Sequence, residues 1–469
     1  MAGLEVRGRA GASMSDGSKG DSGAAGGKPR PTAGHIAAVV LGNGLEFYDF
    51  ITYAFFAVYI GRTFFPASHD KALSLLLSLA TFGAGFLTRP IGAMIIGPMG
   101  DRIGRRPAMM LSFSLMGVAI VGLALTPSYA QIGLAAPILV IGFRLLQGFA
   151  LGGEVGPTTA YLLEAAPPRH RGLYATFQFA TQDSAALLAG LVGTSLASLL
   201  SAQALQDWGW RVAMLVGAAI VPFGLIVRSR LPETLHAADD AALAPDATTG
   251  GTTSKVRLRP YLPVIVFGLM MLAAGTIGTY VTDYMTTYAL TILRMPATVA
   301  FGVIIVSGGI AIPSELASGY LSDRFGRKPV MLIPAATLLV SILPAFCVIS
   351  HFRSVPTFYA AVAWLAMLAG LASPPTLITL TETLPRAVRS GAVATVYAFA
   401  ISVFGGSTQF SITWLLDATK NPLAPAFYWT GAAIVGLIAM SLVKESAPVK
   451  VARMARVAAR GQMAPAAGG

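Results

Sequence analysis

The sequence predicts an all-α membrane protein whose twelve transmembrane helices form two pseudo-symmetric six-helix bundles. Three observations carry that expectation. The chain of 469 residues is 55% hydrophobic and only 12% charged, with a mean hydropathy of +0.68, which excludes an ordinary soluble protein. Runs without any Asp, Glu, Lys or Arg, such as Pro107 to Phe143, Pro260 to Thr282, Pro329 to Phe352 and Ser390 to Leu416, reach or exceed the roughly 20 residues that a helix needs to cross hydrocarbon. They show none of the alternation of a transmembrane barrel. Finally, the charged, Gly-punctuated stretch Gly97 to Pro107 recurs as Gly319 to Pro329, with Gly, Asp-Arg, Gly-Arg, a basic residue and Pro in register. A single Asp-Arg beside a turn glycine is an ordinary solvated loop; a copy in register is the mark of an internal repeat.

The apolar runs place spans near residues 34–60, 72–97, 107–126, 131–160, 172–201, 208–228, 260–289, 297–320, 329–350, 356–381, 390–416 and 422–443. The first 33 residues are rich in Gly, Ala and Ser with no apolar core, so they read as a disordered tail, not a cleaved signal. Of the 33 Lys and Arg, 25 fall in the two tails and the even-numbered loops, and only Arg62, Lys71, Arg294, Arg353 and Lys420 fall on the other face. The positive-inside rule then puts both termini in the cytoplasm. The net charge of +12 is topology and not a nucleic-acid footprint.

The polar stretch 229–259 divides six spans from six and reads as a cytoplasmic linker. The expected organisation is a cytoplasmic tail at 1–33, bundles at 34–228 and 260–443, and a second tail at 444–469. A second repeat supports it, since Glu164 and Arg171 recur as Glu382 and Arg389 at the same spacing, each pair after the fourth span of its half. The lone Cys347 permits no intramolecular disulfide and reads as a small core residue.

The stretch Gly97 to Arg106 resembles the signature loop of the major facilitator superfamily. Gly42 to Phe50, Arg89 to Gly92, Arg144 to Gly148 with Gly152 to Glu154, Trp208 to Arg211, Leu231 to Thr234 and Phe404 to Gly406 are similar to its metabolite:proton symporter branch, over residues 34 to 445. That branch carries citrate and tricarballylate, 2-oxoglutarate, shikimate, and proline with betaine; the first half is most similar to the citrate and tricarballylate carriers. The resemblance implies a monomeric proton symporter that imports a small carboxylate by alternating access, driven by the proton gradient and without a cofactor or metal.

Ionisable side chains inside the bilayer are costly and mark pathways. Glu46 and Asp49 stand at i and i+3 on the first helix, on one face and about 17 Å from its start for Glu46. Two carboxylates so close in a low dielectric repel each other's charge, so one can hold a proton near neutrality; the alternative is a helix-pairing role opposite Arg. Arg89 precedes Pro90, which frees backbone groups and bends the helix toward a cavity. A guanidinium there can grip a carboxylate through two hydrogen bonds, and in related organic-acid carriers the matching Arg is implicated in substrate binding; the alternative is an internal partner of Glu46 or Asp49. Arg144, about 20 Å along the fourth helix, with Gln147 on the same face, is a second candidate clamp or relay partner. Glu154 is a candidate for proton coupling or for a gating pair.

Asp101 and Asp323, with Arg105 and Arg327 and with Glu164, Arg171, Glu382 and Arg389, are expected to cap or pair the hinge-side helix ends and so to gate them; the bases beside them equally suit surface anchoring. Tyr280, Tyr284 and Tyr288 form an i, i+4, i+8 stripe that lines a substrate wall or an interface belt. Asp183, Asp283 and Glu315 depart from what a citrate carrier leads one to expect. Asp183 and Glu315 join the proton-coupling candidates, and extra acids favour a smaller acid or a zwitterion over a trianion. An enzyme lacks a cluster of metal-ligating His, and no Gly-x-x-x-x-Gly-Lys phosphate loop points to ATP. A non-transporting sensor on the same fold would ordinarily need a larger soluble domain. The competing transport reading is a proline or betaine symporter; the tail after Val443 carries no sustained heptads of the kind that often mark one.

Overall fold

In a bilayer no water satisfies backbone N–H and C=O groups, so each long apolar run must close its hydrogen bonds internally as a helix. The computed structural model describes residues 44, 47–66, 71–103, 105–152, 170–229, 261–384, 393, 395–447 and 450. Among them the first half contains α1 (47–55, continued by Ala57–Phe64), α2 (Lys71–Leu87, continued by Arg89–Ile103), α3 (Arg105–Leu125), α4 (Ala135–Leu151), α5 (Arg171–Leu199) and α6 (Trp210–Ser229). The second half contains α7 (Leu262–Thr291), α8 (Ala297–Phe325), α9 (Arg327–Phe352), α10 (Val355–Thr383), α11 (395–400, the π turn Ile401–Gly405 and Gly406–Thr419) and α12 (Ala424–Leu442). Among the described residues no strand occurs, and seven helical stretches are long and apolar enough to span a membrane.

The repeated hinge is tighter than its sequence suggests. Helix α8 runs through Gly319, Asp323 and Phe325, and the reversal is made by Gly326 alone at φ +99°, a left-handed conformation that side chains disfavour. Glu445 caps the next helix by accepting from the backbone N–H groups of Arg327 at 2.8 Å and Lys328 at 3.1 Å. In the first half α2 likewise extends to Ile103, and Asp101 and Arg105 fall in helix with their side chains outside the described residues.

Cys347 is not a core residue as expected: it is exposed. An apolar run facing lipid tolerates a small polarizable side chain on its outer face as readily as inside. The same logic explains the exposed Leu87, Met94, Leu134, Ile138, Val340 and Ile333, since lipid tails are as apolar as these side chains.

Helices of the two halves meet along a seam. Helix α5 lies antiparallel along α8, with Gly172 and Thr176 against Gly319 at the hinge end, Asp183 beside Gly308, Gly190 against Ile304 and Gly193 against Phe301. Phe56 of α1 meets Phe301 at 4.6 Å between ring centroids. Gly83 of α2 and Gly406 of α11 touch backbone to backbone. Small residues let the helices approach this closely where lipid supplies no hydrophobic drive between them. Both ends of the α5–α8 seam are shut.

Candidate functional site

The site grows from a break in α2. Pro90 has no N–H to give to the carbonyl of Phe86, and the helix interrupts at Thr88. The Thr88 hydroxyl turns to the carbonyl of Leu145 on α4 at 2.6 Å, which ties the break to the neighbouring helix. A Cβ on Gly85 would stand 3.0 Å from the Arg144 carbonyl, so α2 and α4 pack backbone to backbone here, with Arg89 and Arg144 side by side in the first half.

Arg144 is fully buried. Its Nη1 donates to the side-chain oxygen of Gln147 at 2.7 Å, and the Gln147 amide donates in turn to the Oδ2 of Asp49. The guanidinium sits 4.4 Å from the ring centroids of both Phe50 and Tyr53 and 5.1 Å from that of Phe82. The sequence left open a direct pairing of Asp49 with an arginine; the structure interposes Gln147, whose amide dipole passes the charge interaction between them. The second oxygen of Asp49, Oδ1, is buried and has no hydrogen-bond partner.

Arg89 is 5% exposed and lies over Phe50 at 5.2 Å and Phe86 at 5.0 Å. Its Nε and Nη2 have no hydrogen-bond partner, and among the described residues no carboxylate forms an ion pair with it. The Tyr280 ring lies 5.8 Å from that of Phe86, on which Arg89 stacks. Stacking on aromatic faces compensates a desolvated cation by about 2 kcal/mol or more per contact, yet it leaves the directional donors of the fork unused. Two converging donors in a desolvated pocket are the chemistry that receives a carboxylate.

The stripe on α7 divides. Tyr280 faces the first half, with its ring 6.0 Å from Phe82 and 5.8 Å from Phe86. The Tyr284 hydroxyl shares a 2.9 Å hydrogen bond with Thr413, and Tyr288 donates to the Pro422 carbonyl at 3.0 Å, so both are held inside the second half. All three are buried, unlike an interface belt. Asp183 lies on α5 with its backbone carbonyl beside Gly308 of α8, Asp283 lies on α7, and Glu315 lies on α8 two turns beyond Gly308. Glu315 is 5% exposed and its Oε2 has no partner.

At the hinge end Asp323 accepts from the backbone N–H groups of Gly172 at 3.0 Å and Leu173 at 3.2 Å, capping α5 across the seam. Arg327 pairs with Asp323 at 2.8 Å and with Glu382 at 3.0 Å. Glu46, Glu154, Glu164 and Arg389 lie outside the described residues, so the partners expected for Arg171 and Glu382 at Glu164 and Arg389 are not among the contacts seen.

Three participants were missed in the sequence. They are Tyr397 of α11 and Gln182 of α5, both half-buried in their helices, and the aromatic cage built by Phe50, Phe82 and Phe86. A lone Tyr or Gln in an apolar span gives no periodic signal, and Phe at helical spacing reads as ordinary core. A cavity of about 760 Å³ lies elsewhere, at the end of the first half away from the hinges beside Arg62, Gln206, Asp207 and Arg211. Its Arg211 is already engaged by the carbonyls of Ala124 and Thr126, at 2.7 Å each.

Comparison with known proteins agrees with this architecture. The chain is 36% identical over 417 residues to the citrate-proton symporter of Klebsiella pneumoniae, covering 87% of this chain and 90% of that protein. It is 31% identical over 424 residues to the proline/betaine transporter of Escherichia coli K12, covering 88% and 83%. Among solved structures, a D-xylose-proton symporter superposes with a TM-score of 0.68 at 20% identity, covering 88% of this chain and 98% of that one, a likeness of fold. The family model of the Major Facilitator Superfamily matches residues 39–408. With its paired bundles, its duplicated hinge and its cage of buried charge, the chain belongs to the major facilitator superfamily.

Proposed function

We propose that the protein is a proton-coupled symporter that imports a small organic carboxylate by alternating access, with a citrate-like di- or tricarboxylate as its substrate. The observation that carries this reading is Arg89: a buried guanidinium, stacked on Phe50 and Phe86, with two donors unpartnered. The substrate carboxylate binds Arg89, and Arg144 through Gln147 senses whether Asp49 is charged. A proton on Asp49 weakens the hold of the Arg144–Gln147 pair on it and lets the guanidinium turn to substrate. The bundles at 34–228 and 260–443 rock about this centre, joined by the linker 229–259, with both termini in the cytoplasm of a bacterial inner membrane. The identity to a citrate-proton symporter supports the substrate class.

A zwitterion such as proline or betaine is the second reading. The acids Asp183, Asp283 and Glu315 favour it, because negative charge opposite Arg89 suits a substrate with one positive end. Proteoliposomes under an inward proton gradient are tested with citrate, tricarballylate, 2-oxoglutarate, shikimate and proline. Accumulation of the carboxylates, abolished by an uncoupler, is expected; accumulation of proline or betaine alone, or uptake indifferent to the gradient, refutes the leading reading.

A further inference from the structure

The stretch Trp208 to Arg211 and the cavity of about 760 Å³ beside it take no part in the proposed transport site. Helix α3 starts at Arg105 on the hinge side and rises about 30 Å to Leu125, which is the thickness of the hydrocarbon. Leu125 lines the cavity, so the cavity stands at the headgroup level of the leaflet away from the hinges. Its walls are the end of α1, the end of α3, the turn before α4 and the residues around the start of α6. All belong to the first half, away from the α5–α8 seam. The π turn Leu205–Gly209 forms part of the wall, and such turns are rare and collect at functional sites.

Four polar side chains line this cavity with bonding capacity left over. Arg211 uses only its Nη1 on the carbonyls of Ala124 and Thr126, and its guanidinium stacks 4.4 Å from the Trp210 ring and 5.7 Å from that of Phe64. These contacts fix the fork at the wall and leave its charge unneutralised. Arg62, at the end of α1, is exposed, and among the described residues neither arginine forms an ion pair. Two bases thus converge on a membrane face where bases are scarce. The Gln206 amide donates to the Tyr59 carbonyl at 3.1 Å and to the Thr63 hydroxyl at 3.3 Å, while its Oε1 has no partner. Asp207 is exposed, accepts from the Gln203 amide at 2.9 and 3.0 Å, and among the described residues pairs with no cation.

Two guanidinium groups suit an oxyanion, phosphate above all. Beside them the Asp207 carboxylate and the Gln206 Oε1 are acceptors, which suit a cation that carries N–H groups. Leu125, Val121 and Val118 stand exposed on one face of α3, an apolar track that leads from the cavity into the hydrocarbon. We propose that the cavity binds the phosphoethanolamine headgroup of a membrane lipid. The phosphate lies between Arg62 and Arg211, the primary amine meets Asp207 and Gln206, and the acyl chains follow the α3 track. A trimethylammonium headgroup carries the same charges but no N–H, so the site selects a primary amine over it. Because every wall belongs to one half, the lipid stays bound while the halves rock and ties the outer ends of α1, α3 and α6 together. The inference is independent of which solute is carried.

The test uses the full chain in nanodiscs and needs no transported substrate. One set contains phosphatidylethanolamine with phosphatidylglycerol, the other phosphatidylcholine with phosphatidylglycerol in the same ratio. In a Cys347→Ser background, Ala130→Cys places a thiol at an exposed position of the cavity wall, and its alkylation by a charged maleimide is timed. Phosphatidylethanolamine is expected to slow the reaction about tenfold relative to phosphatidylcholine, the effect of one hydrogen bond to a charged group. Asp207→Asn should erase the difference between the lipids, and Arg62→Gln should leave the thiol open in both. Both residues are exposed, so both variants should fold, as monodisperse elution and helical circular dichroism verify. Native mass spectrometry of detergent-purified protein gives a second reading: phosphatidylethanolamine should be retained over phosphatidylcholine in the parent and not in Asp207→Asn. Equal alkylation in the two lipids, or a difference that survives in both variants, overturns the proposal. If soluble glycerophosphoethanolamine or inorganic phosphate protects the thiol in phosphatidylcholine discs as well as the lipid does, the site serves a free solute and the lipid assignment is refuted. Protection by citrate that is lost in Arg62→Gln makes the cavity a vestibule for the carried acid and refutes it likewise.

Discussion

Replacing Arg89 by Gln separates a binding arginine from a structural one. A fork gripping a carboxylate makes two hydrogen bonds between charged groups, each worth about 1.5–3 kcal/mol, so their loss removes about 3–6 kcal/mol of binding. At about 1.4 kcal/mol per tenfold the dissociation constant rises by roughly two to four orders of magnitude. The effect on folding runs the other way. Among the described residues no ion pair holds Arg89, and its Nε and Nη2 have no hydrogen-bond partner. The change gives up two aromatic contacts at 5.0 and 5.2 Å and at the same time removes the desolvation cost of a buried cation, several kcal/mol by the usual estimate. Arg89→Gln is therefore expected to fold with a melting temperature close to or above that of the parent. Isothermal titration with citrate and with proline on detergent-purified protein, beside a thermal-shift measurement, reads both numbers. Undiminished binding to a well-folded Arg89→Gln refutes the clamp; a variant that unfolds shows instead that Arg89 is a structural partner.

Arg327→Ala leaves Asp323 and Glu382 without their shared cation in a nearly buried setting, and should cost about 3–5 kcal/mol, seen as a clear drop in thermal unfolding. Asp323→Ala removes the cap that joins α8 to the start of α5. A lost cap is worth about 0.5–2 kcal/mol, so the hinge end should open more often by roughly two- to thirtyfold; the alkylation rate of a Thr176→Cys thiol in the Cys347→Ser background reads this directly, and an unchanged rate contradicts the cap. Gly83→Val sets a Cβ onto the carbonyl of Gly406, which holds α2 off α11; the protein should insert and purify normally yet fail in transport, and normal uptake would show that this contact is dispensable.

How much was legible in the sequence varies with the kind of feature. Every span placed from an apolar run has a helix at its position among the described residues, with ends a few residues away, as at α8, which reaches Phe325 where the run suggested residue 320. Charged residues at a helix end look like loop in sequence because hydropathy drops there, although the backbone hydrogen bonds continue. The conspicuous members of the site, Asp49, Arg89, Arg144 and Gln147, stood out because charge and amide are costly at mid-membrane depth. Tyr397, Gln182 and the Phe cage did not, because aromatic and amide side chains occur in spans for many reasons.

The sequence alone determined the class and the repeat, and its twelve spans are consistent with the helices described, since the bilayer admits a single solution for an unbroken apolar run and a duplicated hinge repeats whatever it encodes. It could also name the expensive side chains. Only the tertiary structure decided their partners: that Gln147 stands between Arg144 and Asp49, that Arg89 keeps two donors free, and that Asp323 caps α5 across the seam. Contacts of that kind join residues 98 or 151 positions apart, as from Asp49 to Gln147 or from Gly172 to Asp323. They depend on how helices rotate and cross once small residues such as Gly83, Gly308 and Gly406 let them touch, and no local pattern of residues records that rotation.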